Sequence, residues 1–450
     1  LRPAVPIALA AAALLAACAD DRGSPFDPAA DRDPPGLLRF EITTEDDHTY
    51  ALWQADEPVR AVVEYVRAAD GTVRHSYSGE RGWAEAGLTK LLKLDAGATY
   101  DDVRVRLRDR AGNETSAAPA DLASFSPQVV AVEDLFLFAM IDVGWGDALY
   151  LQAPDGTNCL VDAGHPADGP KVRWFLRSYL GLNPETDGID FVSMTHVHED
   201  HVGGFYGDEF EDLNGLFQIN DTLRVDREIP VGTFLDILDK TPGTIGGPYG
   251  DLETALEGLG NKLGRHALLA TGASSASDSA LAWGRDVSVD LLAAGRKDYL
   301  LPEFILQAEI GSVQNNDSMI YRVQYGEFVL MLMGDGEFAT EQFLQNRWPL
   351  DHLQADVLKL GHHGSNDANS ERFLDVVDPI VAMIPNAVSE NPGVEHPYVL
   401  GRLRKRGTDY FASDRVIPNR DRAESGVRGD VLLWTDGSAF TVVVDNVVYE

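Results

Sequence analysis

The chain has 450 residues, with 72 acidic against 37 basic side chains and a formal net charge of −35. That balance works against sequence-independent binding to DNA or to an anionic membrane surface, although it leaves room for a local basic site. A hydrophobic content of 44% and an aromatic content of 9% fit a globular protein, and the length is enough for two domains plus a leader.

The first segment, "LRPAVPIALAAAALLAAC", joins one early Arg2 to an apolar run too short to span a bilayer, the shape of a secretory signal. Its end, Leu15-Ala16-Ala17-Cys18, resembles a bacterial lipobox. The resemblance implies residues 1–18 as a lipoprotein signal peptide, lipidation of Cys18, and a cell-envelope location held to a membrane by that anchor. An ordinary signal peptide cleaved nearby is the alternative. Residues 19–36, rich in Asp, Pro and Gly, read as a solvated linker. The other cysteine, Cys159 in "TNCLVDAG", sits in an apolar run and reads as a small buried side chain.

Residues 37–127 show short alternating runs broken by turn residues. "AVVEYVRAADGTVRHSY" alternates, turns at Asp70-Gly71 and alternates again, and Val103, Val105 and Leu107 alternate with charged neighbours. This predicts a small all-β sandwich. It resembles a fibronectin type III domain, in which a tyrosine placed like Tyr100 precedes such a strand. No cluster of reactive side chains occurs in it, so a spacer or docking module is the expectation.

The composition changes at Val129. "FLFAMIDVGWGDALYLQAPDGTNCLVDAG" predicts three strands, and "DGPKVRWFLRSYLG" carries Val172, Phe175, Leu176, Tyr179 and Leu180 at helical spacing up to Gly181. "IDFVSMT" predicts a buried strand that delivers "HVHEDH" to its C-terminal end, where α/β folds commonly place chemistry. His196 and His198 are two apart, so on extended backbone both rings point the same way and reach one ion together. Asp200 and His201 follow, where Gly203-Gly204 is expected to let the chain turn. Imidazole with carboxylate is a ligand set for zinc, manganese or iron.

The motif resembles the metallo-β-lactamase superfamily signature. "IDVGWGDALYLQ", "LVDAG", "NNDSMIYRVQYGEFVLMLMGDGE", "ADVLKLGHHGS" and "EHPY" follow in the order found in the metallo-β-lactamase-like domain of the ComEC competence family. That resemblance implies an α/β fold, an αββα sandwich over residues 129–450, and a hydrolase with one or two Zn²⁺ ions, Mn²⁺ being the alternative. It assigns His196 and His198 to one ion, Asp200 and His201 to a second, and Asp335 to the bridge between them. One of His362 and His363, with preference for His362, closes the second site, and Asp162 supports the ligands from behind. The further histidine that the superfamily usually gives the first ion has no clear match, because His266 reads as structural. Asn315, Asn316 and Ser318 match the family's "NN-x-S".

The implied chemistry is hydrolysis of a phosphodiester, nucleic acid among the candidates. Asp200 or a metal-bound hydroxide acts as base, and His396 touches the phosphate or protonates the leaving group; Asn316, Ser318, Ser365 and Arg404 contact substrate. Ser365 otherwise caps a helix from Asn369 onward. The basic run Arg402, Arg404, Lys405, Arg406 is either a nucleic-acid track or the solvated face of a helix. The alternatives are a hydrolase of a small or cell-surface ester (phosphorylcholine-type, lactone or β-lactam) and an envelope-anchored binding module whose metal site has decayed.

Overall fold

The computed structural model describes residues 33–118, 122–182, 187–220, 227–238, 247–295, 312, 314–385, 396–413 and 429–445. The leader, Cys18 and the linker as far as Arg32 lie outside the described residues. Among the described residues no helix is long and apolar enough to cross a membrane.

The chain forms two compact units. The first is built of antiparallel strands. Its spine is the 20-residue strand His48–Arg67, whose first half pairs with Leu37–Glu45 and Ala84–Leu91 and whose second half pairs with Val73–Tyr77 and Tyr100–Arg108. Alternation places Ala51, Val63, Tyr65, Tyr100 and Val103 in one buried cluster. The Tyr100 hydroxyl accepts a hydrogen bond from the Asp95 amide at 2.8 Å, pinning the turn before its strand. Residues 433–444 come from the far end of the chain yet belong to this unit, with Phe440–Val443 paired antiparallel to Arg74–Tyr77. No local sequence pattern announces that pairing.

The second unit is an αββα sandwich. One sheet runs in the spatial order Leu263–Leu269, Val231–Ile237, Ile189–Ser193, Asn158–Val161, Leu149–Gln152, Phe136–Met140. Its first four strands are parallel, and the rest continue antiparallel. The other sheet runs Val287–Ala293, Ile320–Tyr325, Phe328–Leu332, Val357–Lys359, Val381–Ile384, Asp409–Ala412, turning parallel from Phe328–Leu332 onward. The sheets meet through side chains such as Ser193 and Tyr321, whose hydroxyls lie 2.7 Å apart.

Strands covered on both faces read as unbroken apolar runs, as "FVLML" does. Helices Phe338–Arg347, Glu371–Val377 and Pro397–Arg406 cover the outer face of the second sheet, setting Phe343, Leu344, Phe373, Leu374, Val399 and Leu403 against Leu358, Ala382 and Tyr410. Ser370, not Ser365, caps helix Glu371–Val377, accepting from the Phe373 amide at 3.2 Å. Helices Gly169–Trp174, Glu199–Tyr206 and Pro248–Leu259 pack together beside the first sheet.

Phe373 is fully buried in the outer layer. Phe373→Ala is therefore expected to cost about 3–5 kcal/mol, read as a lower urea midpoint; a loss below about 1 kcal/mol would show that this helix does not hold the second sheet.

Candidate metal centre

The site begins where strand Ile189–Ser193 ends. His196 and His198 lie on the short link, and Asp200 and His201 fall in the first turn of helix Glu199–Tyr206. Gly203 and Gly204 were expected to turn the chain; instead both lie inside this helix. Their small size serves close approach. A Cβ on Gly204 would overlap the Ala163 carbonyl, and one on Gly203 would overlap Pro166. The helix thus lies flat on the segment after Asp162.

Asp162 has a left-handed backbone (φ +59°) and is fully buried. It accepts from the Thr195 amide at 2.7 Å and the Thr195 hydroxyl at 2.6 Å, and it faces His201 Nδ1 at 2.8 Å. That contact fixes the ring so that Nε2 points away from Asp162 toward the other ligands. Asp335 follows strand Phe328–Leu332, and its amide donates to Ser318 Oγ at 3.1 Å. His363 Nδ1 lies 3.0 Å from the Pro385 carbonyl and 3.2 Å from Asp147 Oδ1, which leaves Nε2 as the free lone pair.

Among the described residues four groups of ligand atoms converge, two of which, Asp147, Asp162, His201 and Glu337, His362, Asp367, lack Asp335, while the other two share it. In the first of the sharing pair, Asp335 Oδ2 is 3.3 Å from His201 Nε2 and 3.4 Å from His363 Nε2, while Asp200 Oδ2 is 3.7 and 3.4 Å from the same nitrogens. In the second, His196 Nε2 is 3.0 Å from His198 Nδ1 and 3.9 Å from Asp335 Oδ2. Ligand atoms bonded at about 2.0–2.1 Å around a tetrahedral ion lie about 3.3–3.4 Å apart. The Nε2 atoms of His201 and His363 are buried without a hydrogen-bond partner. Spacing and orphaned lone pairs fit divalent metal ions held by imidazole and carboxylate.

Electrostatics agree. Burial holds His196 and His198 below the usual imidazole range, in the neutral form that binds metal. Burial would lower His201 and His363 as well. For both, neighbouring carboxylates led by Asp335 outweigh it and push the imidazoles well above their usual range. Burial would raise Asp200 and Asp335, but His201 and His363 pull both carboxyls down. The cluster of acids attracts positive charge, and protons on two imidazoles supply it when metal does not.

Two further residues belong here that the motif did not single out. Lys359, fully buried at the end of Val357–Lys359, pairs with buried Asp147, donates to the Gly334 carbonyl at 2.7 Å and lies 3.8 Å from Asp335 Oδ1. A lysine inside "ADVLKLG" and an aspartate inside "GWGDALYL" were the available signals, since a charge in an apolar run needs a buried partner.

Other expected roles are corrected. His362 and His363 both have left-handed backbones (φ +48° and +51°), and that twist turns the rings apart. His363 joins the ligand group, whereas His362 pairs with Asp367 at 2.9 Å and lies 3.7 Å from Glu337. The preference for His362 as the closing ligand is thus reversed. Asn316 is buried and committed: its amide donates to Glu337 and the Ser312 carbonyl, and its oxygen accepts from Thr340. It braces the loop and is not presented to substrate. Ser318 is buried behind His196 and Asp335.

Ser365 contacts Asp367, lowering that carboxyl together with His362. His396 lies tilted against the Tyr398 ring and makes no hydrogen bond to the ligand set among the described residues. Arg404 falls in the first unit, where its carbonyl accepts from Arg108. Arg402 donates to the Ala368 and Asn369 carbonyls, so part of the basic run is used internally. His266 pairs with buried Asp236 at 3.0 Å, a structural role.

The ligand groups open into a cavity of about 630 Å³ lined in part by Trp145, Val197, His198, Asp200, Pro248 and Asp335. Two outcomes are expected. His363→Ala should lower bound metal by at least tenfold in elemental analysis, whereas His362→Ala should keep it; the reverse would restore His362 as ligand. Protonation of His201 and His363 stabilises the metal-free fold fully below the ordinary imidazole value of about 6.5, and that stabilisation is lost as pH rises through their raised values. The melting-temperature gap between metal-loaded and chelated protein should therefore widen as pH rises above about 6.5. A gap that narrows over that range contradicts the assignment.

No protein-family model matches the chain. It is 33% identical over 104 residues to ComE operon protein 3 of Bacillus subtilis and 31% identical over 115 residues to competence protein ComA of Neisseria gonorrhoeae. These matches take in 23% and 25% of this chain and only 13% and 16% of the two relatives. Solved structures with partial likeness include a Cronobacter sakazakii metallo-β-lactamase with a HARLDQ motif (14% identity, 49% of this chain and 76% of that one, TM-score 0.26). A long-form RNase Z from yeast shows 9% identity over 65% of this chain and 39% of its own, with a TM-score of 0.30. Those overlaps are loose; the strand order and the convergence of ligands describe the domain better. Across the matched segment, about a quarter of its length, this chain is similar to those two competence proteins, and its second unit is an αββα sandwich.

Proposed function

We propose that the second unit is a metal-dependent hydrolase that cleaves a phosphodiester. The observation that carries this reading is the pair of converging ligand groups sharing the buried carboxylate of Asp335. Divalent ions held there, by His196, His198 and Asp335 and by Asp200, His201, His363 and Asp335, would supply Lewis acidity toward a phosphoryl oxygen and acidify a water.

The rest is the work of the chain. Asp162 and Thr195 hold His201 in one orientation, and Asp147 with the Pro385 carbonyl does the same for His363. Lys359 neutralises Asp147, and the carboxylates that line the cavity are Glu199, Asp200 and Asp335. The Asp200 carboxylate lines the cavity beside His201 and His363 and would hold the proton that leaves an attacking water. Trp145, Val197 and Pro248 form apolar walls that limit water around the phosphate.

The substrate reading favours a compact diester over a long nucleic acid. No lysine or arginine lines the cavity among the described residues, so a track of phosphates finds no second set of cations there. The envelope location through Cys18 remains part of this proposal, because the chain's relatives are competence proteins and its leader has the lipobox pattern.

With Zn²⁺ or Mn²⁺ supplied, turnover of bis(p-nitrophenyl) phosphate is expected and a chelator should abolish it. Asp335→Asn should lower kcat by at least about a hundredfold with the far-ultraviolet circular dichroism retained. Turnover should change little between 50 and 200 mM salt, where an enzyme making many phosphate contacts would lose on the order of 10³-fold in binding. Full activity in chelated protein removes the metal mechanism. Efficient DNA cleavage with a steep salt dependence replaces the compact diester by a nucleic acid.

A further inference from the structure

His363 reaches the ligand set through two consecutive left-handed residues, itself at φ +51° and His362 at φ +48°. Any residue with a Cβ is strained there, so a contact outside the turn has to hold it. Asp147 and the Pro385 carbonyl fix the His363 ring once it points inward. They do not act on the backbone that turns it.

One buried side chain does. Asn369 is 1% exposed. Its Oδ1 accepts from the Gly361 amide at 3.0 Å, and its Nδ2 donates to the Gly361 carbonyl at 2.9 Å. A side-chain amide that pairs with both groups of one residue does what a neighbouring strand would do. It fixes both peptide planes flanking Gly361, the residue from which the twist starts. On the far side of the turn, the His362 amide donates to the Gly334 carbonyl at 3.2 Å, one residue before Asp335. A Cβ on Gly361 would overlap the Gly336 carbonyl, so the turn lies directly against the segment that carries Asp335.

Asn369 is held in its turn. Its amide and that of Ser370 donate to the buried Glu341 carboxylate, and its carbonyl accepts from Arg402 at 2.9 Å. It too is left-handed, at φ +61°. The position therefore asks for a residue that tolerates this backbone and brings both an acceptor and a donor. Asparagine supplies all three, aspartate lacks the donor, and glycine lacks the amide.

We propose that Asn369 is a positioning residue for the metal centre. By holding Gly361 it sets the His362–His363 twist that turns one ring toward Asp335 and the other away from it. This role rests on the metal reading above and is independent of which ester is cleaved.

Asn369→Gly is the informative variant, because it removes the amide and leaves the left-handed backbone unstrained. Zn²⁺ affinity, measured by competition with a chromogenic chelator, should fall at least about tenfold. In a His363→Ala chain the same substitution should change it by less than about twofold, because both residues act through one ligand. A side chain that only supports the fold would cost as much in either background. Asn369→Asp keeps the acceptor and loses the donor; it should weaken Zn²⁺ by about threefold to tenfold, and it decides the matter where the glycine variant does not fold. A crystal structure of the chelated Asn369→Gly chain adds a readout that needs no metal: residues 362 and 363 should leave the left-handed region. Unchanged Zn²⁺ affinity in the variants, an equal loss in the His363→Ala background, or an unaltered His362–His363 twist in that crystal overturns the role. An unsubstituted chain that binds no Zn²⁺ removes the metal reading, and the twist seen in the crystal then decides whether Asn369 sets it.

Discussion

Negative charge buried without enough positive charge is the constraint around which the second unit is arranged. Asp147, Asp162 and Asp335 are 2% exposed or less, and Asp200 is close beside them. Isolated buried carboxylates would be strongly unfavourable. Part of the compensation is internal: Lys359 answers Asp147, and Thr195 with His201 answers Asp162. Asp335 keeps only a distant contact with Lys359 and three imidazoles near one oxygen. Divalent cations are the natural completion of such a set.

The fold supplies the convergence. Each sheet ends a strand at the same edge, Ile189–Ser193 feeding "THVHEDH" from one side and Phe328–Leu332 with Val357–Lys359 feeding Asp335 and His363 from the other. The ligands are therefore held by backbone fixed in two sheets, with helix Glu199–Tyr206 pressed against Ala163–Pro166 through its two glycines. Among the non-glycine residues with left-handed backbone, Asp162, His362 and His363 lie at or next to the ligands.

Much of this was legible in the sequence, for reasons that can be named. A ligand cluster compressed into six residues after a buried strand leaves little freedom, so His196, His198, Asp200 and His201 were readable from spacing. Asp335 was named through its match to the family's motif, at the end of an apolar strand and between two glycines. Choosing between His362 and His363 was not possible from order alone, because two consecutive left-handed residues decide which ring faces inward. Asn316 and Ser318 were assigned to substrate through their match to the family's "NN-x-S"; burial, the Glu337 carboxylate and the Asp335 backbone amide give them other work. The two glycines of "HVGG" looked like a turn because flexibility is the commoner use of Gly-Gly, whereas here close packing of a helix requires them. Pairing of residues 440–443 with 74–77 spans most of the chain and leaves no local trace.

The central claim is that Asp335 stands between two cations. Anomalous diffraction from a crystal of the metal-loaded chain tests it most directly. Two peaks are expected, one within bonding reach of His196, His198 and Asp335 and the other within reach of Asp200, His201, His363 and Asp335. A single peak among Glu337, His362 and Asp367, with none touching Asp335, would contradict the account.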